Sequence, residues 1–563
     1  MASRRVTRPL AGLVTIGLVA LLGPGAAWSV DAAQVTGKGT GPQPKGQGLG
    51  SKAALAQQSC AENGHTSFGL VGAGPWCVNP WPAGKDNGGS TAAGVTKDSV
   101  KVVIYIENEQ QVAASTGSQP PVDQTTGKVA PVSDAIRDTV KAFQYAVDKF
   151  HTYQTWGRTP TFEIFTATGS DEAAQRADAT AIAAKKPFLV FDQTAFASGG
   201  APALASALAA KKIVVASAST TPTIARKQDP YRWAASNDPT AAIPLTAAFV
   251  GRSLAGEKAQ WAGDKNLQQK TRAFAVIYPT SADFDFTSLQ PQLTKYGAPK
   301  LATSVGYDPT NTDQAAEQAT TYVTKIKDAG ATSVILFAPN NVVAPIMSAA
   351  TKQDYHPEWI FTGYGYQDFD GFARTYDQEQ MRHAFGLSVL WPYADPKGVV
   401  ADGFTWYWGK KQGVLSSIVP AIVGFVYGAL HYAGPTLTAQ NVRKGYFSAP
   451  STSSLLGQFG YGNTVGMPYP EYALSGTDRA LAWWDADTTG IAQAANITGK
   501  GLFQYLDNGK RFTLGAMPKS EPKFFDPNGA VFQVPYSMNF PDGVIPQAVP
   551  CPDCPSSGGS GSS

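Results

Sequence analysis

The first sustained apolar run of this 563-residue chain occupies residues 10–22, behind Arg4, Arg5 and Arg8 and ahead of Gly23, Pro24 and a string of small residues. Charge, core length and breaker together make the pattern of an export leader. The run is shorter than the roughly 20 residues a membrane helix needs. Residues 1–33 are therefore expected to be a signal peptide, with cleavage after Ala27, Ala32 or Ala33. No cysteine follows the run, so lipid attachment there is not expected. Over residues 34–93 periodicity lapses and Gly, Pro, Ala and Gln dominate, as in a spacer.

A regular pattern begins at Gly94. Residues 100–106 form an apolar run long enough for a buried strand. Residues 134–150 then place Ile136, Val140, Phe143, Val147 and Phe150 at helical spacing, with Ser133 available as N-cap. Further strands are expected at 161–167, 187–191 and 212–216, with Ala-rich helices between them. The pattern restarts with strands at 272–279, 301–307, 332–339 and 357–364. A helix over 313–328 should bury Ala316, Ala319, Val323 and Ile326, and another is expected at 342–352. Strands alternating with helices predict parallel sheets covered by helices. Later elements at 384–390, 399–410 and 419–432 could return the chain to the first unit.

Composition adds limits. Formal net charge is +3 and charged residues are 15%, which offers no basic surface for nucleic acid. The cysteines fall in two pairs, Cys60 with Cys77 and Cys551 with Cys554. In an exported chain disulfides are the default reading. Local bridges Cys60–Cys77 and Cys551–Cys554 are expected, cross-links between the two ends being the alternative. The low-complexity tail, 546–563, stands outside the periodic region.

Six stretches keep a telling order: GVTKDSVKVVIYIE from Gly94, DPYRWAASNDPTAA from Asp229, RAFAVIYP from Arg272, the long segment 313–364, GPTLTAQNVRKGY from Gly434 and DRALAWWDADTTG from Asp478. Together they resemble the extracellular solute-binding proteins of ABC importers, in the branched-chain amino-acid (Leu/Ile/Val) group. The resemblance covers about residues 94–490; the loop 261–270 and everything beyond Gly490 look like additions. It implies the type I periplasmic binding protein fold: two Rossmann-like α/β lobes with parallel sheets, joined by a three-crossover hinge. Lobe 1 is expected to comprise 94–238 and about 387–450, and lobe 2 to comprise 239–386 and about 451–545. A solute would sit in the cleft, beyond the carboxyl ends of the strands.

Residues for that cleft follow from the same strand ends. In lobe 1, Ser198 and Gly199 fall where the family places a ligand-binding serine. Ser219, Thr220 and Thr221 sit at a helix start, where hydroxyls and free N–H groups suit a carboxylate; helix capping is the competing reading. In lobe 2, Phe284 lies where the family often has an aromatic wall, and Asn340 where it often has a tyrosine contact. At the end of PEWIFTGYGYQDFD the amino-acid binders carry a carboxylate for the ligand ammonium. Gly365 aligns there instead, flanked by Tyr364 and Tyr366, with Asp368 just beyond. An ammonium buried without a partner is costly, so a free α-amino acid would need Asp368 or Asp283 to swing in. The tyrosines either line an aromatic pocket or pack the hinge.

Enzyme chemistry finds little footing. His65, His151, His356, His383 and His431 lack metal-ligand spacing, and no G-x-S-x-G elbow occurs. Asp283 with Asp285, and Asp368 with Asp370, read as solvated loop residues. DADTTG reads as a strand-ending turn. No cofactor is expected. The expected protein is an exported binder of a small amino-acid-like, amide or aromatic carboxylic solute, located in the cell envelope or outside the cell and presenting its solute to an ABC-type permease. A sensory receptor of the same fold and a secreted α/β enzyme are the alternatives.

Overall fold

The computed structural model of the protein describes residues 29–30, 79, 81–108, 132–150, 153–194, 201–217, 222–234, 239–280, 285–309, 312–390, 407–408, 419–448, 452–454, 457–462, 471–476, 478–492 and 498–532. The cysteines, most of the spacer, most of the leader and the tail lie outside these residues. No described helix is long and apolar enough to cross a membrane.

The described strands form two sheets. In chain order they are β1 (Ser29–Val30), β2 (Ser99–Ile106), β3 (Thr159–Thr166), β4 (Leu189–Asp192), β5 (Val214–Ser217) and β6 (Arg232–Ala234). Then come β7 (Phe274–Pro279), β8 (Thr303–Tyr307), β9 (Ser333–Leu336), β10 (Glu358–Phe361) and β11 (Ala384–Ser388). The last six are β12 (Thr452–Ser454), β13 (Gly457–Gly462), β14 (Glu471–Gly476), β15 (Asp478–Ile491), β16 (Thr498–Tyr505) and β17 (Arg511–Thr513). The first sheet runs β1-β12-β13-β14-β6-β5-β4-β2-β3, the second β16-β15-β11-β10-β9-β7-β8, with β17 against β15. The chain therefore passes between lobes three times: after β6, after β11 and between Gly476 and Asp478.

Each sheet is parallel in its middle, from β3 to β14 in the first and from β8 to β11 in the second. Each gains antiparallel strands at one margin, which the alternating pattern did not predict. Within each margin β12 to β14, and β15 and β16, follow one another through short connections, which join antiparallel neighbours; β15 itself reaches β11 only after the chain has passed through lobe 1.

The third crossing comes later than expected. Residues 452–476 pair in the first sheet, so lobe 1 continues well past 450. The cause is packing around Trp233 of β6, which is fully buried. Its ring lies 5.2 Å from Tyr446, 5.3 Å from Tyr461 and 5.3 Å from Tyr472, and the Tyr461 hydroxyl donates to the Ala234 carbonyl at 2.9 Å. Burying each such side chain stabilises the fold by about 1.5–3 kcal/mol.

Two helices also depart from the pattern. Val132–Phe150 buries Ile136, Val140 and Val147 as expected, but Ser133 lies inside its first turn rather than before it. The predicted helix over 313–328 is two, Thr312–Glu317 and Ala319–Asp328, broken at Gln318. The break moves the buried face from Ala316 to Ala315, while Ala319, Val323 and Ile326 remain inside.

Candidate functional site

In lobe 1 the parallel strands β2, β4 and β5 end along one edge. There the apolar interior gives way to buried polar groups: Glu107, Asp192, Gln193, Thr194 and Ser217. Buried polar groups must be hydrogen-bonded to be tolerated, and Asp192 shows how this edge is organised. One of its oxygens accepts from the Thr194 N–H at 3.0 Å and the Thr194 hydroxyl at 2.6 Å; the other accepts from the Ala201 N–H at 3.1 Å. Asp192 thus ties together both flanks of the segment that carries Ser198 and Gly199. Arg232 lies buried nearby; burial pulls its guanidinium down to about 10, and the Asp192 charge opposes that shift. Ser198, Gly199, Ser219, Thr220 and Thr221 themselves lie outside the described residues. Helix Pro222–Lys227 begins directly after the Ser219 to Thr221 trio.

In lobe 2 the strands β7 to β10 end together, and this edge is aromatic. Phe286 sits 5.1 Å from Tyr278 and 5.1 Å from Phe337, ring to ring. The Tyr307 hydroxyl donates to the Phe337 carbonyl at 3.2 Å and shares a side-chain hydrogen bond with Tyr364; burial raises its pKa. Tyr364 is half-buried against the same apolar cluster. A cavity of about 570 Å³ opens beside Tyr278, Thr280, Phe286, Leu289 and Leu301, and among the described residues no charged side chain lines it. Asn340 is half-buried in the first turn of helix Asn340–Lys352. Phe284 and the Tyr366 side chain lie outside the description.

Gly365 owes its identity to the backbone. It has φ +65°, and a Cβ placed on it would stand 2.8 Å from Pro339 Cα. No side chain fits there, so the family's carboxylate cannot be carried at this position. The turn is held from below by buried Gln367, which donates to the Leu336 carbonyl at 2.9 Å and accepts from the Thr362 N–H at 3.2 Å. The 3-10 turn Pro239–Ala242, where the chain enters lobe 2, touches both β14 and the turn Tyr364–Tyr366. The site loop is therefore next to the hinge.

Asp368 and Asp370 correct the sequence reading. They are buried, not solvated. Asp368, 1% exposed, accepts from the Ser388 hydroxyl at 2.6 Å and the Val389 and Leu390 N–H groups at 2.7 and 3.2 Å. Burial raises its pKa, against these bonds. Asp370 accepts from the Phe503 N–H at 2.9 Å. Both carboxylates serve the fold, and Asp368 is not placed to swing toward a solute. Asp285 accepts from the Thr287 N–H at 3.1 Å; Asp283 is outside the description. DADTTG does not end its strand: β15 runs on to Ile491 through an irregularity after Asp485, whose carboxylate accepts from the Asp487 and Thr488 N–H groups. His356 and His383 come within 6.5 Å of each other, yet among the described residues no His, Cys, Asp and Glu group could hold a metal ion.

Sequence reading missed Asp192, Gln193, Tyr278, Phe286 and Tyr307. A usable signal was present: LVFDQT ends an apolar strand on consecutive polar residues.

No protein-family model and no curated protein matches the chain. Solved structures do. A leucine-, isoleucine-, valine-, threonine- and alanine-binding protein from Brucella ovis, in a closed conformation, is 12% identical, covers 76% of this chain and 100% of its own, and has a TM-score of 0.47. A solute-binding protein of an ABC transporter from Rhodopseudomonas palustris BisB5, in complex with 3,4-dihydroxybenzoic acid, is 12% identical, with 72% and 97% coverage and a TM-score of 0.43. A fatty acid ABC transporter substrate-binding protein from Thermomonospora curvata is 14% identical, with 73% and 93% coverage and a TM-score of 0.40.

Proposed function

We propose that the protein is an exported solute-binding protein without a catalytic step. It captures a small solute between its lobes, closes by hinge motion and presents the closed form to an ABC-type permease. The observation that carries this reading is the contrast between the two strand-end edges. Lobe 1 offers ordered polar groups around the loops of Ser198 and of Ser219 to Thr221. Lobe 2 offers aromatic rings, and at Gly365 no room for an acidic side chain. That pairing favours an aromatic or otherwise partly apolar solute with a carboxyl or carboxamide group over a free α-amino acid. Phe284, Asn340, Tyr364 and Tyr366 are the proposed lobe 2 contacts.

A thermal-shift panel of aromatic acids, amides and amino acids on the leaderless protein tests this. A ligand at about 100 times its dissociation constant adds roughly 2.7 kcal/mol of stability. Ser219→Ala with Thr221→Ala should weaken binding of the stabilising compound at least about tenfold, two bonds to a charged group being removed. Tyr364→Ala should weaken it about two- to tenfold through lost ring contact. Unchanged affinity in both variants would remove the proposed site.

A further inference from the structure

The strand β17 lies beyond the region of family resemblance, yet its first residue reaches the point where one interlobe crossing begins and another ends. β17 pairs antiparallel with the start of β15, Ala480 opposite Arg511 and Asp478 opposite Thr513. From there Arg511 donates to the Leu390 carbonyl at 2.9 Å and the Val389 carbonyl at 3.1 Å. It also donates to the Asp478 carboxylate at 3.0 Å, and both side chains are buried. Leu390 is the last described residue before the chain leaves lobe 2, and Asp478 is the first after it returns. One guanidinium therefore holds the exit and the return together.

The backbone of the same two residues is gripped from the other side. Asp368 accepts the N–H groups of Val389 and Leu390, so their donors face one carboxylate and their acceptors one guanidinium. Gly363, at φ +76°, presses against this segment: a Cβ there would lie 2.8 Å from Val389 Cγ1. Arg479 completes the cluster by donating to the Asp478 carbonyl at 2.7 Å and the Gly476 carbonyl at 3.3 Å. Two arginines and two aspartates thus occupy the root of the hinge. On one side they touch the strand ends that cross between lobes; on the other they touch the loop that carries Tyr364.

We infer that Arg511 is a positioning residue for the hinge: by fixing the Val389–Leu390 peptides against Asp478 it sets the balance between open and closed lobes. A planar fork that reaches two carbonyls and a carboxylate defines their relative geometry, which a point charge on a flexible stem does not. Small local shifts at a packed interface are amplified into domain motion where the packing has two arrangements. This rests on the reading that the lobes open and close around a solute, but it is measured without one.

The test is single-molecule energy transfer between dyes attached at the exposed positions Lys211 and Lys300 of the full chain, with no solute added. Arg511→Met, which keeps the apolar stem, should broaden the interlobe distance distribution or add a second population absent from wild type; Arg511→Lys should fall between. If Arg511→Met does not fold, Asp478→Asn removes the charged partner of the fork and should shift the distribution in the same direction. Distances identical to wild type in the folded variants, with only a lower Tm, would overturn the inference and leave Arg511 a purely stabilising residue. A solute panel without any hit would sink the binding reading while leaving these distances informative.

Discussion

Gly365 illustrates how a single residue can be read in two ways. From sequence it marks a missing carboxylate; in the structure it is a turn that admits no side chain at all. The backbone is left-handed there and Pro339 occupies the space, so restoring an acid would not restore an ammonium site. Gly365→Asp should lower stability by about 1–3 kcal/mol, the usual cost of such strain, and should confer no amino-acid binding. A denaturant titration and a repeat of the solute panel check both parts; a stable variant that gains leucine affinity would refute the assignment. Asp368 carries a related lesson. Its position beside the tyrosines was plain in the sequence, but its direction was not, because its partners Ser388, Val389 and Leu390 sit on a strand some 20 residues away.

Among elements, the buried central strands were the easiest to foresee. VKVVIYI, FAVIY and SVIL are continuous apolar runs, as strands covered on both faces must be. The strands 452–454, 457–462 and 471–476 were not foreseen, since TSS and GQFGYG carry little apolar signal; Trp233, more than 200 residues earlier, decides where they dock. The additions to the fold were also visible only as additions. In the structure they meet: Trp261 packs on Phe385 at 4.8 Å and Phe524 at 5.3 Å, while Arg272, 0% exposed, pairs with Glu358 through two bonds of 2.7 and 2.9 Å and with Glu521 of the C-terminal segment. Glu358 also accepts from the Ser333 hydroxyl at 2.6 Å and the Trp261 N–H at 3.2 Å. Removing Glu358 leaves the buried guanidinium with Glu521 alone and strips the Ser333 hydroxyl of its acceptor, so Glu358→Ala should cost about 3 kcal/mol, the low end for breaking a buried pair. Its denaturation midpoint reports this directly, and a loss below about 1 kcal/mol, the level of an exposed pair, would show that the cluster does not hold the segment.

For the whole molecule, two α/β lobes crossed three times by the chain put buried polar groups on one strand-end edge and rings on the other. The hinge root, the turn Tyr364–Tyr366 and the C-terminal strand share one buried charge cluster, built on Asp368 and Arg511, through which the proposed solute capture would act on lobe position. Equilibrium dialysis tests the central claim most directly: the leaderless protein is dialysed against a mixture of aromatic carboxylic acids, their amides and free α-amino acids, and the retained solutes are identified by mass spectrometry. The account predicts stoichiometric retention of an aromatic or partly apolar acid or amide, and none of a free amino acid. Retention of a free amino acid would contradict the ligand assignment and point to Glu107 or Asp283 as its ammonium partner; retention of nothing would contradict the solute-binding function itself.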